Sequence, residues 1–305
     1  TDGLYFNYAI FTNISPDHIG PGEHADFEEY LYYKTRLLNM CGIGLVNKDD
    51  KHAPQIIKAA NCELYTYSEE SKEADFVASD IRYVSQPDFV GTEFHISGKY
   101  DMEVRLGIPG LFNVVNALAA VSVCSFLGLD QARISHALEN IRVNGRMEIV
   151  YTSERCTVLV DYAHNAVSME SLLSTLRDYK PKRLVCVFGC GGNRSKDRRY
   201  SMGEIGGKMA DLSIITADNS RYEKVEDIIA DIRGSIEKTG GKFIEIPDRR
   251  EAIRYSILHA QPGDMVAVIG KGHEDYQEIN GVRHHFLDRE VIEEAVRELR
   301  EKEQG

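Results

Sequence analysis

From residue 156 onward the chain alternates short β-branched apolar runs with segments of helical period, and no other feature narrows its fold as much. The runs cover 156–161, 183–188, 212–217, 242–246 and 264–269, with stretches such as VLVDY, RLVCVF and MVAVIG. Between and after them, 167–179, 201–210, 225–238, 249–259 and 288–302 read as helices. Strands separated by helices of this length need right-handed crossovers, which set the strands parallel and the helices against the sheet. Residues 276–286 turn at Asn280–Gly281 and are expected to add an edge hairpin.

The first half is less regular. It opens with a strand at 8–12, a helix at 25–39, a strand at 43–47, a helix at 53–60 and a strand at 62–66. Residues 75–106 then step between apolar and polar positions, with turn signals at Pro87–Asp88 and Ser97–Gly98, as antiparallel hairpins do. Helices at 111–127 and 130–141 follow, and the Asn144–Gly145 turn separates two expected domains, 1–144 and 145–305. The uncharged stretch 106–129 has the length of a membrane span, but Pro109, Asn113, Asn116, Ser122 and Ser125 interrupt it. It reads as a buried helix starting near Leu111. No secretory signal pattern is visible, so a cytoplasmic protein without membrane insertion is expected.

Charge restricts the partners. The 305 residues carry 36 basic and 48 acidic side chains, a net charge of -12, which argues against a nucleic-acid binder. The imbalance is uneven: 12 basic against 21 acidic residues in 1–150, but 24 against 27 in 151–305. A basic cluster in the second half accounts for part of that difference. Six cysteines, none in a C-x-x-C pair, read as small buried hydrophobes.

Ligands of open α/β sheets bind beyond the carboxyl ends of the strands. Those ends carry Asp161, Tyr162, His164 and Asn165; then GCGGNRSKDRR at 189–199; then Asp218, Asn219, Ser220 and Arg221; then GKGHED at 270–275. The strand at 8–12 is followed by Asn13, Ser15, Asp17 and His18. In the 189–199 run, Gly191 and Gly192 allow backbone amides to approach an anion, and Arg194, Lys196, Arg198 and Arg199 supply charge. It lacks the third glycine of the dinucleotide fingerprint, and the phosphate loop G-x-x-x-x-G-K-[ST] is absent from the chain. His18 and His24 beside Asp17 admit a metal, whereas Lys34 alone is most simply a helix-surface lysine.

The strings TNISPDH (12–18), LYYKTRL (31–37), LFNVVNALAA (111–120), NGRMEIV (144–150), VDYAHNAVSMESLL (160–173), VFGCGGNRSKDRRYSMG (187–203), ADNSR (217–221) and VIGKGHEDYQ (268–277) occur in this order. Together they resemble the Mur ligases of peptidoglycan synthesis, over nearly the whole chain. The nearest branch is the one that adds the third residue of the stem peptide. The resemblance implies an α/β protein: an incomplete central ATPase domain of the phosphate-loop type, lacking that loop, and a C-terminal Rossmann-like domain with a mainly parallel sheet. It further implies that the chain starts inside the central domain and that this portion alone does not ligate.

The implied chemistry is ATP-dependent joining of a diamino acid to UDP-N-acetylmuramoyl-L-Ala-D-Glu through an acyl phosphate, with Mg²⁺ and a monomeric enzyme. By position, His18 resembles the Mg²⁺-binding histidine. Lys34 resembles the lysine that is carbamylated to become an oxygen ligand, and His24 a histidine near the reacting centre. Asn113 and Asn116 resemble the adenine-reading pair, with helix capping as the plainer role for Asn113. Arg146 resembles the arginine that contacts ATP phosphate, while Asp161, Tyr162 and His164 resemble residues that contact ATP from the C-terminal domain. Arg199, Asp218, Asn219, Arg221, Gly270 and Glu274 resemble the amino-acid pocket. The family's diaminopimelate motif is Asp-Asn-Pro-Arg. Here Ser220 stands in place of the proline, which loosens the loop but leaves Arg221, so meso-diaminopimelate is favoured over lysine. A folylpolyglutamate synthase-like ligase, a non-catalytic Mur-like subunit and a nicotinamide oxidoreductase are the alternatives.

Overall fold

The computed structural model describes residues 3–16, 19–20 and 22–304. Two units emerge, one of residues 1–82, 92–106 and 111–141, the other of residues 83–91, 107–110 and 142–305.

The first unit contains β1 (Phe6–Phe11), α1 (Phe27–Thr35), β2 (Cys41–Asn47), α2 (Ala53–Ala59), β3 (Glu63–Ser68) and most of β4 (Phe76–Gln86) and β5 (Phe89–Gly98). β6 (Met102–Leu106), α3 (Leu111–Phe126) and α4 (Gln131–Asn140) complete it. Its sheet runs in chain order from β1 to β6, with parallel pairing from β1 to β4 and an antiparallel β5–β6 pair. α1 begins where the Asp26 carboxylate accepts the Glu29 N–H at 2.9 Å, and Glu28 and Glu29 occupy the positive end of the helix. The helix expected over 25–39 is shorter because Arg36–Asn39 tightens into a 3₁₀ turn. α3 buries Val114, Leu118 and Val121, spaced 4 and 3 apart on one face, among Phe76, Phe94 and Ile96. No helix among the described residues is long and apolar enough to cross a membrane.

The second unit contains β7 (Glu148–Thr152), β8 (Cys156–Asp161), α5 (Ala166–Asp178), β9 (Arg183–Phe188), α6 (Lys196–Met209), β10 (Leu212–Ile215) and α7 (Val225–Thr239). β11 (Phe243–Glu245), α8 (Arg249–Leu258), β12 (Asp264–Ile269), β13 (Tyr276–Ile279), β14 (Val282–His285) and α9 (Asp288–Gln304) follow. The sheet order is β11-β10-β9-β12-β8-β7, parallel except for β7. Alternate residues of each central strand serve opposite cores. Leu159, Cys186, Phe188 and Ala267 pack with α5, α6 and α7, while Val158, Val185, Val187 and Val266 pack with α8 and α9. Burial on both faces explains why these strands read as continuous apolar runs.

Three expectations change. β7, ahead of the region read as alternating, was not expected and adds an antiparallel edge strand to that sheet. α6 starts at Lys196, not 201, because the Ser195 hydroxyl and Asp197 form its N-terminus inside the basic run. The β13–β14 hairpin turns at Asn280–Gly281 as expected but forms a two-stranded sheet of its own.

Candidate functional site

β10, β9, β12 and β8 are consecutive in the second sheet and parallel, so their carboxyl ends share one side. The loops that leave them line a cavity of about 400 Å³. β8 contributes Tyr162 and His164. The loop after β9 contributes Gly189, Cys190, Gly191 and Arg194, and the first turn of α6 adds Arg198. β10 supplies Asp218, Asn219 and Arg221, and β12 leads to Gly270, Glu274 and Tyr276. Three guanidinium groups and two carboxyl groups thus face one small volume.

Hydrogen bonds between the loops hold this arrangement. The Gly192 N–H donates to the Asn219 carbonyl at 2.8 Å, and the Arg221 guanidinium donates to the Gly192 carbonyl at 2.7 Å. A Cβ on Gly192 would lie 1.9 Å from the Ser220 carbonyl oxygen, so only glycine permits this approach. Arg221 has φ +51°, a left-handed conformation unusual for a non-glycine residue. The hairpin stabilises it: the Arg221 N–H donates to the Glu278 carbonyl at 3.0 Å, and its carbonyl accepts the Asn280 N–H at 2.6 Å. Glu278 Oε2 also stands 3.7 Å from Arg221 Nε. The hairpin therefore braces the 218–221 loop. The Cys190 thiol is buried against Met202, and burial pushes it up to about 12.

Of the residues assigned to the amino-acid pocket by resemblance, Asp218, Asn219, Arg221, Gly270 and Glu274 come together. Arg199 does not line the cavity. Its side chain is 1% exposed, and its guanidinium donates to Asp231 at 2.9 Å and Glu223 at 2.8 Å. Arg194 and Arg198 line the cavity instead. The sequence held the signal for Arg194, which lies two residues after the Gly191–Gly192 pair in the loop that leaves β9, but motif position favoured Arg199. Lys271 was also missed; it is buried between the pocket's Asn219 and Glu274.

The residues assigned to ATP fall in both units. Asp161 is buried, and both its oxygens are occupied, accepting the Met147 and Ala163 N–H groups at 2.8 Å each. Burial raises its carboxyl above the ordinary aspartate range against the lowering effect of these bonds and of Arg146. It holds the 145–147 turn rather than facing outward. Arg146 itself is exposed and stacks on the Tyr162 ring, 4.9 Å from its centroid. In the first unit, Asn113 and Asn116 sit in the first two turns of α3, three residues apart and so on one face. Asn113 is the third residue of the helix.

Lys34 is exposed near the end of α1, with Nζ 5.2 Å from the Tyr30 ring centroid. The His24 ring packs between Tyr30 and Tyr33, at centroid distances of 5.2 and 5.3 Å. His18 and Asp17 lie outside the described residues. Among the described residues, no three His, Cys, Asp or Glu side chains converge as a metal site. Mg²⁺ takes oxygen ligands. An unmodified Lys34 supplies none, and a carbamate on its Nζ would supply them.

A doubly wound sheet with a charged cavity at its carboxyl edge, preceded by a second α/β unit, defines the class. The Mur ligase middle domain matches residues 1–124, and the Mur ligase, glutamate ligase domain matches residues 145–272. The chain belongs to the Mur ligase family. It is 40% identical over 296 residues to UDP-N-acetylmuramoyl-L-alanyl-D-glutamate--2,6-diaminopimelate ligase 2 of Clostridium acetobutylicum, covering 97% of this chain and 60% of that one. To the ligase of the same name from Clostridioides difficile it is 38% identical, covering 98% and 61%. A solved structure of a UDP-N-acetylmuramoyl-L-alanyl-D-glutamate--2,6-diaminopimelate ligase superposes with a TM-score of 0.76 at 35% identity, covering 96% of this chain and 61% of that one. The chain thus spans about three fifths of the length of the relatives it matches.

Proposed function

We propose that the chain is the ATP- and amino-acid-binding portion of an ATP-dependent ligase of peptidoglycan precursor synthesis. The ligase joins meso-diaminopimelate to UDP-N-acetylmuramoyl-L-Ala-D-Glu. The observation that carries this reading is the mixed charge of the cavity. Diaminopimelate brings two ammonium and two carboxylate groups, which match Asp218 and Glu274 on one hand and Arg194, Arg198 and Arg221 on the other. Lysine lacks the second carboxylate and so offers the guanidinium groups one anionic partner fewer. The names of the relatives point the same way.

In this reading the peptide carboxylate takes the γ-phosphoryl group of ATP, the incoming amine attacks the acyl carbon, and phosphate leaves. Negative charge accumulates on phosphate oxygens, so the residues that matter are those that neutralise or orient them. Arg146 offers an exposed guanidinium to the phosphates, with Tyr162 and His164 beside it on the β8 loop. Asn113 and Asn116 read adenine from one face of α3. Asp161 fixes the turn that presents Arg146. Mg²⁺, when bound, screens phosphate charge; Lys34 as a carbamate and His18 would hold it, and His24 would stand near the reacting groups. The domain division at Asn144–Gly145, a cytoplasmic location and a monomeric state belong to the same reading.

Titration calorimetry of the 305-residue chain tests the substrate. We expect binding of meso-diaminopimelate at least about tenfold tighter than of L-lysine, the selectivity a charge-assisted hydrogen-bond pair supplies. Arg221→Ala should remove most of that preference. Equal heats for both amino acids, or none for either, would overturn the assignment.

A further inference from the structure

Lys271 lies on the turn that leaves β12, and its side chain is 0% exposed. A lysine is almost never fully buried without partners. An ammonium has three hydrogens to donate and accepts nothing. Nζ reaches Asn219 Oδ1 at 3.2 Å, Glu274 Oε2 at 3.3 Å and the Tyr276 carbonyl oxygen. All three donors are thus used within the protein, and two go to side chains that line the cavity.

The consequence for those two side chains is geometric. Asn219 Oδ1 also accepts the Glu278 backbone N–H at 2.9 Å. Turning the amide over would set its NH₂ against both that N–H and the ammonium, so Nδ2 stays directed at Glu274 Oε2, 3.0 Å away. Glu274 Oε2 then holds two donors. Oε1 accepts the Tyr162 hydroxyl at 3.4 Å and keeps one lone pair for a further donor.

We propose that Lys271 is a positioning residue for amino-acid recognition: it fixes Asn219 and Glu274 so that one carboxylate oxygen is presented to an ammonium group of the ligand. The inference rests on the amino-acid reading of the cavity and assigns the device that sets its selectivity for a second amine. Lys271 itself does not touch the ligand.

The test compares two ligands by calorimetry on the full 305-residue chain. One is meso-diaminopimelate; the other is 2-aminoheptanedioate, which has the same two carboxylates but one amine fewer. The unaltered chain should favour diaminopimelate by about 10- to 100-fold, as expected for one charge-assisted hydrogen bond. Lys271→Met should reduce that ratio to within about threefold, with affinity for 2-aminoheptanedioate changed far less. Adding Lys271→Met to Glu274→Gln should cost no further selectivity, because the lysine acts through the glutamate. Lys271→Gln, which keeps two of the three donors but no charge, should give an intermediate ratio and serves if the Met variant loses its cooperative melting transition.

Equal weakening of both ligands, or an unchanged ratio in either Lys271 variant, would overturn the positioning role. If the unaltered chain binds diaminopimelate but does not distinguish it from 2-aminoheptanedioate, the positioning role also fails while the cavity assignment stands. If the unaltered chain binds neither ligand, the cavity assignment fails and the inference falls with it.

Discussion

Arg249 opens α8 and Asp288 opens α9, and both side chains are fully buried. Arg249 donates to the two Asp288 oxygens at 2.8 and 2.7 Å and to the carbonyls of Ala217 and Ile269 at 3.2 and 3.0 Å. Those carbonyls belong to the residues immediately before Asp218 and Gly270. One guanidinium thus ties the ends of β10 and β12 together where they enter the cavity. A buried pair of this kind adds little net stability compared with apolar residues, but removing one member leaves a charge without compensation. Arg249→Met should therefore destabilise the chain by about 3–5 kcal/mol in urea unfolding. Arg249→Met with Asp288→Leu should recover part of that loss but not all, since two strand-end carbonyls still lack their donor. A single variant within 1 kcal/mol of the unaltered chain, on the order of a surface substitution, would show that the pair is dispensable.

The loops at the carboxyl ends behave as one element because they are bonded to each other, and Gly192 is the point of closest approach. Gly192→Ala drives a Cβ into the Ser220 carbonyl and should cost about 1–3 kcal/mol while weakening amino-acid binding. Gly234, within α7 and with open space about its Cβ, is the contrast: Gly234→Ala should stabilise by about 0.5–1 kcal/mol and leave binding unchanged. If both changes shift melting the same way, the loop contact is not what limits the first. The same distinction separates what could be read in the sequence from what could not. The parallel strands were legible because burial on both faces makes them continuous apolar runs. β7 was not, because an antiparallel edge strand breaks that pattern. Five of the pocket residues named from the motif strings do converge, since each lies in a loop that leaves the carboxyl end of a strand. Arg199 fails for a helical reason. Once Ser195 starts α6, neighbouring residues diverge by about 100° around its axis. Arg198 then meets the cavity, and Arg199 meets Glu223 and Asp231. Lys271 carries no sequence signal of burial, because only Glu274 is near it in the chain, while Asn219 arrives from the loop after β10 and Tyr276 from the hairpin.

Over the whole molecule the net charge of -12 conceals local pairing, and the pairing sets how the second unit responds to acid. Glu298 on α9 accepts two hydrogen bonds from Arg254 on α8, both at 2.6 Å, and pairs with Lys302 at 2.9 Å. These bonds lower its carboxyl to about 2, from 4.5 for the free side chain. Asp211 and Asp231 are lowered as well: burial pushes each up, but hydrogen bonds from Arg177 and from Arg199 and Lys196 outweigh it. A carboxyl lowered by folding stabilises the native state fully above its unfolded value, and that contribution is lost as pH falls toward the folded value. The stability tied to Glu298 should therefore be intact near neutrality and decline from about pH 4.5 toward about pH 2. Asp161, raised by burial, acts in the opposite sense and does not reinforce this loss. Glu298→Gln isolates the term. Its urea midpoint should lie below that of the unaltered chain at about pH 6, with a smaller gap at about pH 3, where the unfolded glutamate is already protonated. Because the α8–α9 pairs are partly exposed, added salt should also narrow the gap at about pH 6. A gap that is the same at both pH values would mean that the substitution acts through packing of α8 on α9, and that the lowered Glu298 carboxyl has no part in the acid response.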